Sequence, residues 1–215
     1  MPVLTPDYRL YLVLDPKLCA QTGIVQTALA ATQAGAGIIQ LRAPYWKKRE
    51  LYECAIELKT ALAPFKIPLI IDDHVDVAVA SGADGVHIGQ QDLPATCARA
   101  MLGPDKLVGL SINTIEQMKN VDPAIVDYVG VGPIFSTATK PDAAAPIGFD
   151  GLAQLMKICP VPAVAIGGLK ANHVKEIFKA GADGVAVISA ICGQKDPALA
   201  AQTLFKECPD PRLTS

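Results

Sequence analysis

Apolar residues in this chain come in short bursts of four to six, rich in Val, Ile and Leu, and they are apolar nearly throughout instead of alternating with polar residues. Such runs predict strands buried on both faces, as in a parallel sheet covered by helices. The bursts lie at 9–14, 38–41, 68–71, 85–88, 107–111, 128–131, 163–166 and 184–188. The stretches between them carry the other period. In 47–62, Leu51, Cys54, Ala55, Leu58 and Leu62 fall on one helical stripe. Helices are likewise predicted at 23–34, 75–81, 93–100, 115–120, 151–158, 171–179 and 196–207. Three segments repeat one phrase: QAGAGIIQLR (33–42), ASGADGVHIG (80–89) and KAGADGVAVI (179–188). Each reads as a helix end, a glycine able to adopt a left-handed cap, a tight turn and a buried strand. A recurring helix-to-strand joint means one unit used many times.

Eight alternating units with no second composition block predict an α/β fold, a single-domain (β/α)8 TIM barrel over residues 1–215 with a frayed tail at 209–215. A doubly wound open sheet is the alternative, but it would show fewer units and a G-x-G-x-x-G after the first strand, which is absent. The length, 215 residues, and a 51% hydrophobic content suffice for one large core.

Charge and cysteine usage narrow the function. A net charge of −2 offers no basic field for nucleic acid, and no long apolar run offers a membrane span. No signal peptide is read at the N-terminus. Six scattered cysteines without a C-x-x-C pair fit a reducing cytoplasm better than a disulfide framework or a zinc site. A homo-oligomer is compatible with all of this.

Ligands of such a barrel bind at the C-terminal strand ends, and there the polar residues gather: Gln40 and Arg42, Asp72, Asp73 and His74, Gln90 to Asp92, Ser111, then Thr137, Ala138, Thr139 and Lys140 in VGVGPIFSTATK (129–140). Gly167-Gly168 and Ile188-Ser189 end the last two strands, where barrels of this kind hold phosphate on bare N–H groups; a plain tight turn is the alternative for the glycine pair. Hydroxyls, free amides and a lone lysine suit an anionic oxygen cluster. Asp73 and Asp92 suit Mg²⁺, which takes one or two carboxylates plus water and phosphate oxygens. Alternatively, Asp92 and Asp72 cap the helices that follow them. His87 lies inside a strand, where its direction decides its role. No nucleophile with a partnered base is visible, which favours a transfer reaction on a phosphate-bearing substrate.

Through these residues the chain resembles the thiamine-phosphate synthase family. The resemblance runs from about Tyr11 to Ile191 and rests on Q-L-R (40–42), D-D (72–73), G-V-H-I-G-Q-x-D (85–92), G-P-I-F-x-T-x-T-K (132–140), I-G-G (166–168) and G-A-D-G-V-A-V-I-S-A (181–190). It implies a (β/α)8 barrel that joins hydroxymethylpyrimidine diphosphate to a thiazole phosphate and releases diphosphate with Mg²⁺. It further implies that Gln40, Arg42 and Asp72 border the pyrimidine diphosphate, Ser111 meets the pyrimidine and Lys140 the diphosphate. Arg42, Ser111 and Lys140 would carry the catalysis, and Asp73 and Asp92 would hold the metal. Thr137, Ala138 and Thr139 would line the thiazole phosphate side, with Gly168, Ile188 and Ser189 cradling its phosphate. Two alternatives on the same barrel are a thiazole tautomerase, with His87 or His74 as proton shuttle, and a non-catalytic thiazole-phosphate binder.

The chain departs from the family pattern twice. Arg-x-Lys after the second strand is here Arg42-Ala43-Pro44, and Asn before the first metal aspartate is here Asp72. If the missing cation limits diphosphate binding, Pro44→Lys lowers KM for the pyrimidine diphosphate in steady-state assays; an unchanged KM would show that nothing is lacking there.

Overall fold

The computed structural model describes residues 5–137, 139 and 144–209. In chain order it forms β1 (Leu10–Leu14), α1 (Ile24–Gln33), β2 (Ile38–Leu41), α2 (Lys48–Leu62), β3 (Leu69–Asp72), α3 (Val75–Ser81), β4 (Gly85–Ile88) and α4 (Ala95–Leu102). It continues with β5 (Leu107–Ile112), α5 (Ile115–Lys119), β6 (Tyr128–Val131), α6 (Gly148–Met156), β7 (Ala163–Ile166), α7 (Val174–Lys179), β8 (Gly184–Val187) and α8 (Pro197–Lys206). The strands pair in sequence order, all parallel, and β8 closes onto β1. This is the (β/α)8 barrel, and the open sheet is excluded.

The all-apolar strands have two destinations. Leu10, Leu12 and Leu14 face the helical shell with Ile39, Leu41, Ile71, Val86, Val108, Val129 and Val185. Tyr11 and Val13 face the barrel interior with Ile38, Ile70, Leu107, Tyr128, Val164 and Ala186. α2 buries Leu51, Ala55, Leu58 and Leu62 on one stripe against the sheet, with Cys54 at its edge.

Several predicted boundaries move, and at three of the strands a local interaction accounts for the change. Arg9 falls outside β1 because its N–H bonds to the Asp7 carboxylate. Pro68 precedes β3, offering only its carbonyl, to Ile39 N–H. Asp72 extends β3 because it pairs in register with His87. Ile188 leaves β8 because its carbonyl takes the N–H groups of Ile191 and Cys192. α4 starts two residues late, with Pro94 at its N-cap, and α6 starts three early, at Gly148. All six cysteines are free thiols, and among the described residues no helix is long and apolar enough to cross a membrane. Residues 210–215, most of the expected frayed tail, lie outside the described residues.

The repeated G-A-D-G phrase has a structural purpose at the N-terminal strand ends. The Asp84 carboxylate accepts the Leu69 N–H at 3.0 Å while the Asp84 N–H donates to the Leu69 carbonyl at 2.8 Å. Asp183 brackets Ala163 in the same way, and Asp127 brackets Val108. The glycine after the aspartate is enforced by close approach: a Cβ on Gly184 would lie 1.7 Å from the Tyr8 carbonyl oxygen, and one on Gly85 would lie 2.3 Å from that of Leu107. Each bracket fixes where a strand begins, and so which of its residues reach the other end.

Asp84 also pairs with Lys59 at 2.6 Å, and its side chain is 13% exposed. Asp84→Ala strands the Leu69 N–H and Lys59 together, so stability should fall by about 2–3 kcal/mol. Denaturant melts that coincide with wild type would show the bracket to be dispensable.

Candidate active site

The C-terminal strand ends form a rim. On β2, Gln40 is buried and points inward, and Arg42 follows one step beyond the strand. Both reach Asp72 at the end of β3. Gln40 Nε2 donates to one carboxylate oxygen at 3.2 Å, and Arg42 Nε lies 3.2 Å from the other. The Arg42 and Asp72 side chains are only 15% and 13% exposed. Asp72 therefore does not cap α3, whose N-cap is His74 without a side-chain bond. Its extra negative charge is met by the neighbouring guanidinium.

Asp73 continues the β3–β4 ladder by one bond, its N–H donating to the His87 carbonyl at 2.8 Å. Its φ of +59° is in the left-handed region, and among the described residues only Lys66 shares this without being glycine. Aspartate tolerates that conformation better than most residues, at a cost of roughly 1 kcal/mol or more. The turn leaves the Asp73 side chain exposed at the rim.

Asp92 folds back onto the end of β4. Its Oδ2 accepts the Gly89 N–H at 2.7 Å. Gly89 permits this because a Cβ there would meet that oxygen at 2.9 Å. Asp92 does not cap α4, whose N-cap residue is Pro94. Because β3 and β4 are neighbours, Asp73 and Asp92 stand at adjacent strand ends.

Around the rest of the mouth, Ser111 on β5 lies beside His87, with Oγ 3.0 Å from Nε2, and its carbonyl accepts the Gln90 amide at 2.7 Å. In the loop after β6, the Thr137 and Thr139 hydroxyls meet at 2.8 Å. Ala138 and Lys140 lie outside the described residues. That loop is stitched to the next one: Ile134 N–H donates to the Ile166 carbonyl and Phe135 N–H to that of Gly167. The glycine pair is required by this packing. A Cβ on Gly167 would strike Pro133 at 2.6 Å, one on Gly168 would strike the Ser136 carbonyl at 2.7 Å, and both residues have positive φ. After β8, Ile188 uses its carbonyl within the turn and Ser189 is exposed. Among the described residues, the Gly168 and Ser189 N–H groups carry no turn or loop hydrogen bond.

Of the two lysines that follow Pro44, Lys48 pairs with Asp76 at 2.6 Å between α2 and α3, and the exposed Lys47 is the N-cap residue of α2, its backbone N–H donating to Glu50. At the rim, Tyr45 beside Pro44 is 74% exposed and carries the Lys17 ammonium 4.1 Å from its ring centre.

Two site-adjacent side chains went unread in the sequence. Tyr11 and Tyr128, inside the barrel, share a hydrogen bond of 2.8 Å, and Tyr128 OH lies 3.2 Å from His87 Nδ1. The legible signal was glycine. A Cβ on Gly109 would strike the Tyr128 hydroxyl at 2.4 Å and His87 Nδ1 at 2.5 Å, so this inward position is vacated for them. Burial raises the Tyr11 and Tyr128 phenols far above their ordinary range, so both remain protonated.

The thiamine monophosphate synthase family profile matches residues 10–191. The chain belongs to that family. A thiamine-phosphate synthase of Laribacter hongkongensis is 46% identical over 200 residues, covering 93% of this chain and 94% of that one. That of Xanthobacter autotrophicus is 49% identical over 198 residues, covering 92% and 94%. Among solved structures, thiamine phosphate pyrophosphorylase from Pyrococcus furiosus superposes with a TM-score of 0.85 at 34% identity, covering 94% of this chain and 96% of that one. A 3-hexulose-6-phosphate synthase, at 22% identity and a TM-score of 0.69, shares the fold alone. Family membership makes the chain an enzyme, a transferase of thiamine biosynthesis.

The Arg42–Asp72 pair gives a direct test within this family. Asp72→Asn keeps the Gln40 bond and releases the guanidinium, so KM for the pyrimidine diphosphate should fall about fivefold, equivalent to roughly 1 kcal/mol. A higher KM would mean that the carboxylate serves substrate binding directly.

Proposed function

We propose that the chain condenses 4-amino-2-methyl-5-hydroxymethylpyrimidine diphosphate with 4-methyl-5-(2-phosphooxyethyl)thiazole. The C–O bond to diphosphate breaks, and diphosphate leaves with the electron pair. The thiazole nitrogen then forms the new C–N bond, giving thiamine phosphate. An aminopyrimidine donates electrons into the methylene carbon as the leaving group departs, so the step is dissociative and needs no general base. The main work left to the protein is to stabilise the departing anion and align the incoming nitrogen.

The single observation that carries this reading is the convergence of Gln40, Arg42, Asp73, Asp92 and Ser111 on the ends of four consecutive strands. Asp73 and Asp92 fit Mg²⁺: both are exposed carboxylates at adjacent strand ends, and a Mg²⁺ site leaves most positions to water and phosphate oxygens. When bound, Mg²⁺ would supply charge neutralisation for the diphosphate oxygens. Among the described residues no three metal-ligating side chains cluster, so substrate oxygens and water would have to complete the coordination. Arg42 and Lys140 add cationic charge toward the same anion, and Ser111 faces the pyrimidine. Thr137, Ala138 and Thr139 line the thiazole side. The Gly168 and Ser189 amides, with Ile188 beside them, hold the thiazole phosphate. Six free thiols suit reaction in a reducing cytoplasm.

The tautomerase alternative needs an open histidine shuttle. Both ring nitrogens of His87 are instead within hydrogen-bond distance of Ser111 and Tyr128, which leaves His74, the N-cap residue of α3, as the one histidine that reading could use. A non-catalytic binder would have no use for the strained Asp73 turn.

Purified protein mixed with both substrates and Mg²⁺ should yield thiamine phosphate by mass spectrometry. Asp73→Ala should lower kcat by about 10²-fold or more while circular dichroism stays native. Substantial turnover by that variant would remove Asp73 from the site.

A further inference from the structure

Four hydrogen-bonding groups run from the barrel interior to its mouth. Tyr11 OH lies 2.8 Å from Tyr128 OH, Tyr128 OH lies 3.2 Å from His87 Nδ1, and His87 Nε2 lies 3.0 Å from Ser111 Oγ. Tyr11 and Tyr128 are buried, whereas His87 and Ser111 are only partly so. A neutral chain of this kind holds one proton per group but only three links. One proton must therefore leave the chain, at one end or the other.

The two ends are not equivalent. The Tyr11 hydroxyl has Tyr128 as its one hydrogen-bond partner among the described residues. If the chain ran inward, Tyr11 would keep a buried donor with nothing to receive it, the costlier arrangement. If the chain runs outward, every buried donor is used and the surplus proton sits on Ser111, at the mouth.

We infer that the chain is directional: Tyr11 donates to Tyr128, Tyr128 donates to His87 Nδ1, and His87 donates from Nε2 to Ser111, whose own proton is left facing the mouth. His87 and Tyr128 are positioning residues, acting through Ser111. The ligand atom opposite Ser111 must then be an acceptor, such as a heteroaromatic ring nitrogen. This last consequence rests on the proposed reading in which Ser111 faces the pyrimidine; the proton order does not. The high-lying Tyr11 and Tyr128 phenols agree, since deep burial keeps both protonated as donors.

The test is ¹⁵N NMR of histidine-labelled protein without substrate, with His87 told apart from His74 and His173 by their glutamine variants. In its neutral form the wild type's His87 should show Nε2 protonated and Nδ1 bare. A neutral ring protonated on Nδ1 overturns the order whatever the enzyme's substrate. Tyr11→Phe should leave that tautomer unchanged, because Tyr128 still needs an acceptor; a switch to Nδ1–H would overturn the inference. Tyr128→Phe removes the donor to Nδ1, so the tautomer should become mixed and KM for the pyrimidine diphosphate should rise about fivefold with a smaller change in kcat. An unchanged KM with a mixed tautomer would overturn the Ser111 consequence alone. If either variant fails to fold, the wild-type spectrum still decides.

Discussion

An eight-stranded parallel barrel can close only if its interior is filled by the side chains of alternate residues. That constraint governs everything else here. Tyr11, Ile38, Ile70, Leu107, Tyr128, Val164 and Ala186 fill the middle of the barrel. The same alternation carries Gln40, Asp72, His87 and Ser111 inward toward the mouth. The aspartate brackets at the opposite end set each strand's starting residue, so a one-residue slip would turn this polar set into the helical shell.

Much of this was legible in the sequence. Uniformly apolar strands pointed to a doubly covered sheet, and the repeated helix-to-strand phrase pointed to one unit used many times. Four of the strands have the bounds that the apolar runs predict, and the other four differ by a residue, β1 because of the Asp7 bond to Arg9. The direction of His87 was also legible in principle, since Val86 and Ile88 on either side are apolar and turn to the shell. The Tyr11–Tyr128 contact was not, because it joins residues 117 apart through the barrel's centre. Periodicity within one strand says nothing about which hydroxyl it meets from the far side.

The rim shows how a substitution in charge is absorbed. Asp72 brings a carboxylate where the family pattern has an amide, and Arg42 answers it at 3.2 Å with Gln40 in support. A guanidinium so engaged offers less of its charge to an incoming diphosphate. Pro44 stands where the family pattern has a second cation, and Lys48 nearby is paired with Asp76. In the proposed reading, the carboxylates of Asp73 and Asp92 would then carry more of the burden in this chain, through a divalent ion held between them and the substrate.

That placement is the central claim, and one diffraction experiment reaches it. Crystals grown with Mn²⁺ and inorganic diphosphate should give an anomalous peak at the ends of β3 and β4, within coordinating distance of Asp73 or Asp92 and touching diphosphate. Bound diphosphate with its metal at any other part of the barrel would contradict the account.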